Sequence, residues 1–195
     1  MAPKSQPTSR DRLVASTVEL MRRQGYAASG VSEIARNGRA PMGSFYHHFP
    51  GGKEQLAAAA LDRGASEYAA LIERALKDDG PLTEQLARIA TLTADSLERT
   101  SFELGCPVAT TALETVSTSP VLQDRAAHAF ASWQKLLTQH CVNAGVPESK
   151  AVELAMTVIA LIEGSELMSR VQRDRRPLSN AADAIKTLTA TTLRG

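Results

Sequence analysis

The stretch Val31 to Phe49, VSEIARNGRAPMGSFYHHF, constrains this chain more than any other. Val31 to Asn37 reads as a short helix, with the Ser29 hydroxyl in place to cap it. Gly38 then supplies the left-handed residue of a turn. Pro41 suits the first turn of the next helix, because its missing N–H is not needed there. That helix carries Ser44, Tyr46, His47 and His48. Ahead of the pair, Leu13, Val14, Thr17, Val18, Leu20 and Met21 form one apolar stripe at helical spacing. A long helix, a short helix, a tight break and a second short helix predict a helix-turn-helix at the head of a small all-helical unit. The second helix of such a pair is built to lie in the major groove of DNA.

The rest of the chain reads as further helices separated by breaks. Residues 1–8 are polar, carry Pro3 and Pro7, and predict a flexible arm. Thr8 followed by Asp11 predicts an N-cap, and Gly25 ends the first helix. Pro50-Gly51-Gly52 stops the short helix, and Lys53 opens a long one to about Lys77. Asp78-Asp79-Gly80-Pro81 breaks it. Helices are then expected over about 82–98 and from Gly105-Cys106-Pro107 to about Val116. A third opens at Ser119-Pro120 and runs to Gly145, and a fourth runs from Pro147 to about Arg173. The last spans about 178–192. The chain is Ala- and Leu-rich with few β-branched runs, which favours helices over strands. The reading is therefore all-α in two regions: a three-helix head over residues 1–52, and a C-terminal helical domain over 53–195.

A net charge of +1 hides an asymmetry. Residues 1–63 carry a balance of +4 and the remainder −3, which suits a polyanionic partner for the head alone. Two cysteines, Cys106 and Cys141, do not make a disulfide scaffold, and nothing in the sequence marks either as a low-pKa thiol. No apolar signal core and no membrane-length apolar run is present, so the chain is expected to be soluble and cytoplasmic. It has no GxSxG, P-loop, HExxH or CxxC, and His128 and His140 stand alone. No enzyme chemistry, cofactor or metal is expected.

The run GYAASGVSEIARNGRAPMGSFYHHFPGGKEQL resembles the TetR family of bacterial transcriptional regulators. Gly25-Tyr26, Ser29, Ile34-Ala35, Gly38, Gly43-Ser44-Phe45-Tyr46-His47-His48-Phe49 and Lys53 carry the resemblance over about residues 9–60. Ala40-Pro41, Phe49-Pro50-Gly51-Gly52-Lys53 and Gly105-Cys106-Pro107-Val108-Ala109 further resemble the LmrA/YxaF-like branch, which is associated with repressors that sense drug-like or aromatic compounds. Two positions depart from the family pattern. The turn glycine usually falls where this chain has Arg39, so either the bend is shaped differently or Arg39 takes a left-handed conformation at some cost; position 42 is often Lys where this chain has Met42. The resemblance implies a homodimer whose heads bind a palindromic operator in double-stranded DNA. It also implies a C-terminal domain that binds a small apolar or aromatic effector and releases the DNA.

Individual residues follow. On the second short helix Phe45 and Phe49 are four apart and are expected to pack inward. Ser44 and His48 are then candidates for base edges, Ala40, Pro41 and Met42 for apolar contact, and Tyr46 and His47 for phosphates. Taken without the family, a Tyr–His surface cluster serves structure as readily as DNA. Ser29 and Lys53, both at helix starts, complete the DNA-contact set, Ser29 being as well suited to capping alone. Lys4 and Arg10 could reach the minor groove from the arm, but a solvated tail is the plainer explanation for them. Residues 151–162, AVELAMTVIALI, are apolar at all but Glu153 and Thr157. Such a helix must be buried on both sides. With the last helix it predicts a dimer interface through Val152, Ile159, Ile162, Glu166, Ala181, Ala184, Ile185 and Leu188. A fully internal core helix is the other explanation. On the helices that surround the effector in the family lie Phe102, Cys106, Thr110, Leu113, Phe130, Trp133, Leu137, Met156, Ile159 and Glu163. For each of these alone, core packing is the plainer role, though a buried carboxylate at Glu163 could orient a cationic or hydroxylated ligand. A second reading keeps a small-molecule-binding helical protein without specific DNA binding, favoured by Met42 and opposed by Tyr46-His47-His48.

Overall fold

The computed structural model describes residues 6–77 and 79–194, and among these every regular element is a helix. The order is α1 (Ser9–Ala28), α2 (Val31–Asn37), α3 (Met42–His48), α4 (Gly52–Leu76), α5 (Leu82–Arg99), α6 (Pro107–Thr115), α7 (Pro120–Asn143), α8 (Glu148–Gln172) and α9 (Arg176–Arg194). Most of the expected arm, including Lys4, lies outside the described residues.

The chain packs as two compact units. The first takes in the described residues up to Ala65 together with Pro107–Ala127, so the whole of α6 and the starts of α4 and α7 pack with the three-helix head. The second takes in Ser66–Cys106 and the residues from His128 onward. The sequence reading divides the chain at 52/53, whereas packing runs through α4 and returns to the head at α6.

In the first unit α1 packs on α2, α3 and α6. The expected cap forms as a reciprocal box: the Asp11 amide donates to Thr8 Oγ1 at 3.1 Å, and the Thr8 amide donates to Asp11 Oδ2 at 3.1 Å. The apolar stripe of α1 supplies Leu13, Val14 and Leu20 to a core closed by Ile34, Ala35, Ala40, Phe45, Phe49 and Leu56. Ser119 caps α7 as its sequence position predicts, accepting from the Leu122 amide at 3.2 Å and donating to Glu54 Oε1 at 2.6 Å.

Two local expectations are corrected. Gly38 is not left-handed: it has φ −74°, and Arg39 takes the left-handed place at φ 48°. The Ala40 amide reaches Ala35 O at 3.0 Å and the Arg39 amide reaches Arg36 O at 3.1 Å, the paired bonds of a Schellman ending with Arg39 where glycine is usual. Gly38 is required for another reason. A Cβ there would stand 2.9 Å from the Arg12 carbonyl oxygen and 3.1 Å from that of Ile34. Ser29, for its part, does not cap α2, whose N-cap is Gly30 without a side-chain bond. Ser29 is buried and its hydroxyl donates to Gly25 O at 2.6 Å.

The second unit is built on α5, α8 and α9, which pack pairwise. Trp133 is fully buried, with Tyr68 at 4.6 Å and Phe130 at 5.3 Å between ring centroids. α8 ends in a second Schellman pairing with a left-handed arginine, Arg173 at φ 51°. α9 starts at Arg176, two residues before the sequence places it, because the Asp174 carboxylate accepts the Arg176 amide at 2.9 Å.

The turn geometry gives opposite signs at adjacent positions. Gly38→Ala is expected to cost about 1–3 kcal/mol, since backbone must move to admit the methyl group. Arg39→Gly is expected to stabilise by about 1 kcal/mol by relieving the left-handed side chain. Chemical denaturation of the two variants beside the parent protein checks both signs.

Candidate functional site

α3 is seven residues long, too short to persist without tertiary support. Phe45 and Phe49 supply it. Both are buried, and their rings stack at 6.3 Å between centroids. The edge of Phe45 also meets Tyr46 at 5.0 Å. The inward-facing pair is as the four-residue spacing predicts.

The opposite face is open. Tyr46 is 67% exposed and Met42 37%, and Pro41 and His47 are exposed as well. Ser44 and His48 are half-buried, and the rings of His47 and His48 meet edge-on at 4.9 Å. Both histidines lie in the last turn of α3. Ala40 is buried in the core, so its side chain does not join this face. Ser29, buried and bonded to Gly25, presents no free hydroxyl either.

Lys53, in the first turn of α4, reaches the turn at the end of α1 that leads into α2. Its ammonium stands 4.4 Å from the Tyr26 ring centroid and donates to Ala27 O at 3.2 Å. Burial lowers its pKa, opposed by the Glu114 carboxylate. Arg10 is not in a free arm: it belongs to α1, with its guanidinium 5.6 Å from the Phe49 ring centroid.

The residues singled out for an effector fall into separate groups. Thr110 and Leu113 belong to the first unit, and Leu113 is 78% exposed. In the second unit Met156 is exposed, whereas Cys106, Trp133 and Leu137 are buried and Phe102, Phe130 and Ile159 are partly buried. The chemistry concentrates at Glu163. Its Oε1 is buried without a hydrogen-bond partner. Burial, and then the neighbouring Glu166, push its pKa up to about 8, while a side-chain hydrogen bond with Cys106 acts the other way. Tyr68, which the sequence reading did not single out, shares this environment. Its pKa is raised by burial and then by Glu163 and Glu166, against a hydrogen bond with Thr93. Nothing local in the sequence marks Tyr68, because its role comes from helices far along the chain. Cys141 is held up at about 11 by burial, which makes its thiol unreactive.

The described residues of the second unit include two grooves of similar volume. One of about 560 Å³ is lined by Glu73, Leu76, Lys77, Ser132, Lys135, Leu136, Gln139, His140 and Asn143. The other, of about 600 Å³, runs between α5 and α9 and includes Glu84, Arg88, Asp95, Asp183 and Lys186. Neither includes a residue singled out from the sequence. Among the described residues no group of three or more His, Cys, Asp or Glu could hold a metal ion. No helix there is long and apolar enough to cross a membrane.

The proposed dimer residues also divide. Ile162, Glu166, Ala181 and Ile185 are buried within their own chain. Val152, Ile159, Ala184 and Leu188 are exposed or half-exposed. The open apolar face of α8 instead carries Val152, Met156, Leu167, Met168 and Val171.

A short helix anchored by two phenylalanines, turning a polar face outward from a three-helix head, defines a helix-turn-helix protein. Residues 13–60 match the model of the tetR family of bacterial regulatory proteins, and residues 81–184 match the C-terminal domain of LmrA/YxaF-like transcriptional regulators. The chain belongs to the TetR family, in its LmrA/YxaF-like branch. It is 36% identical over 175 residues to an uncharacterised HTH-type transcriptional regulator of Mycobacterium tuberculosis, covering 87% of this chain and 88% of that protein. It is 30% identical over 191 residues to the HTH-type transcriptional regulator LmrA of Bacillus subtilis, covering 92% and 96%. The crystal structure of reduced Escherichia coli NemR shares the fold, with a TM-score of 0.80 at 24% identity over 92% of this chain and 95% of that one.

The Glu163 carboxyl gives a pH dependence with a definite sign. The folded protein holds this proton up to about pH 8, whereas the unfolded chain releases it near the ordinary value of 4.5. Between those values the folded state binds more protons, so this group's contribution to stability falls as pH rises through the window. Thermal melts from about pH 6 to about pH 9 are expected to show a larger loss of Tm for the parent protein than for Glu163→Gln, which cannot ionise.

Proposed function

We propose that the protein is a homodimeric, ligand-responsive repressor that binds a palindromic operator through α3 and leaves it on binding a small apolar or aromatic effector. The observation that carries the DNA half is the division of α3: Phe45 and Phe49 inward, Met42, Tyr46 and His47 outward. Ser44 and His48 read base edges, Pro41 and Met42 meet thymine methyl groups, and Tyr46, His47 and Lys53 take phosphates. Met42, where the family often has lysine, gives up one phosphate contact. The name of a relative adds support for repression: the Escherichia coli protein 25% identical over 193 residues is an HTH-type transcriptional repressor.

Dimerisation through the open apolar face of α8, with Leu188 of α9, would bring two heads to two half-sites. The effector half rests on the second unit. Tyr68, Trp133 and Phe130 form an aromatic cluster, and Glu163 offers a buried oxygen with no partner. An aromatic molecule bearing a hydroxyl or a cation would meet both. It must bind the form with low DNA affinity more tightly, since equal affinity for both forms shifts nothing. Operator and effector then weaken each other by one common factor. Working on bacterial DNA, such a protein acts in the cytoplasm, and the reading calls for no catalytic step.

Selection of duplexes from a random-sequence pool supplies the operator for the test. Tyr46→Ala and His47→Ala are each expected to weaken binding to the selected duplex at least about tenfold, roughly the contribution of one good polar contact. Light scattering should find the dimer intact in both. Lys53→Ala is expected to weaken binding to all sequences alike and flatten the salt slope by about one. Unchanged affinity in both α3 variants would contradict the assignment of that helix.

A further inference from the structure

One side chain outside the three-helix head holds the turn on which the head's geometry depends. α1 breaks at Gly25, whose backbone lies at φ 84°, ψ 176°, a region that only glycine adopts readily. The break removes the ordinary helical partners of the next residues, so their polar groups need others. Most find them close by. Gly25 O accepts from the Ser29 hydroxyl at 2.6 Å, Tyr26 O from the Ser29 amide at 3.2 Å, and Ala28 O from Gln24 Nε2 at 3.0 Å.

The Ala27 peptide is different, because charged groups hold both of its flanks. Its amide donates to Glu114 Oε2 at 2.7 Å, and its carbonyl accepts from Lys53 Nζ at 3.2 Å. Glu114 lies on α6, which packs on α1 within the first unit. The Gly25 notch leaves room for this carboxylate, since a Cβ at Gly25 would collide with Glu114 Oε1. The backbone requires glycine there, and any side chain would also displace the Glu114 carboxylate. A carboxylate one residue from the C-terminal end of α6 also has the wrong sign for the helix dipole. Helix stability does not account for it, whereas the bond to Ala27 does. The same carboxylate favours the charged form of Lys53 against its partial burial.

We infer that Glu114 is a positioning residue for DNA binding: by holding the Ala27 amide it fixes the carbonyl on which Lys53 rests, and so sets where the Lys53 ammonium meets a phosphate. Lys53 has three donors, and the bond to Ala27 leaves the others for the phosphate. Glu114 stands within the stretch matched by the C-terminal domain model, 81–184, yet its bond is to the turn that leads into α2. The inference rests on the reading of Lys53 as a phosphate contact. Amide exchange tests the clamp without DNA, so failure of the clamp and failure of that reading are distinguishable.

The experiment uses the full chain, with Glu114→Ala, Glu114→Gln, Lys53→Ala and the Glu114→Ala/Lys53→Ala double variant. Glu114 is exposed, so none of these changes the core. In Glu114→Ala the Ala27 amide is expected to exchange at least about tenfold faster, as for loss of a charge-assisted bond, with the buried Leu20 and Met21 amides unchanged. On a duplex selected by the parent protein, Glu114→Ala is expected to bind about tenfold more weakly. Glu114→Gln, which keeps an acceptor, should stay within about threefold of the parent. The double variant should bind within about twofold of Lys53→Ala, because the effect of Glu114 passes through Lys53. Unchanged Ala27 exchange in Glu114→Ala would overturn the clamp. Losses that multiply in the double variant, or a glutamine no better than alanine, would overturn the positioning role.

Discussion

Everything the head can do depends on two phenylalanine rings beneath a helix of seven residues. Phe45 and Phe49 are buried, and they supply the packing that so short a segment lacks on its own. Because they lie four residues apart, they fix the rotation of α3 about its axis as well as its position. That rotation turns Tyr46 and His47 outward together. The Schellman turn through Arg39, and the close approach of Gly38 to the Arg12 carbonyl, bring α3 to the end of α2. The outward face is therefore a consequence of core packing, and substitutions beneath it act on that face from within the core.

Local chemistry was readable from the sequence wherever partners are near in the chain. The Thr8–Asp11 box, the Ser119 cap and the inward pair of α3 all join residues three or four apart. Where the partner is distant in the chain, local residue type misleads. Residue type alone points to Gly38 as the left-handed residue, with Arg39 as the costlier alternative that the structure adopts. What demands glycine there is the Arg12 carbonyl, 26 residues away by the Arg12–Gly38 hydrogen bond. Ser29 has a hydroxyl of the right kind for a cap, but the break at Gly25 leaves a nearer carbonyl to satisfy. Periodicity found α8 without saying which of its apolar residues face inward, because the helix is apolar almost all round. Glu114 carries no local signal at all, its bond to Ala27 spanning 87 residues.

The second unit places an acid where acids are costly. Glu163 keeps a buried oxygen without a partner beside an aromatic cluster and a second carboxyl. Such a group lowers stability unless something meets it, and a site that must bind a ligand is where an unmet group belongs. In the first unit the Gly25 break is met partly by local bonds, with Gln24 to Glu33 and the two bonds that hold Ala27 reaching further along the chain.

Hydrogen exchange on the protein with and without its selected duplex tests the central claim most directly. The account predicts a selected sequence with two-fold symmetry, and protection confined to residues 41–53 and the turn at 25–29. Protection that left α3 unchanged, or selection of duplexes with no two-fold symmetry, would contradict it.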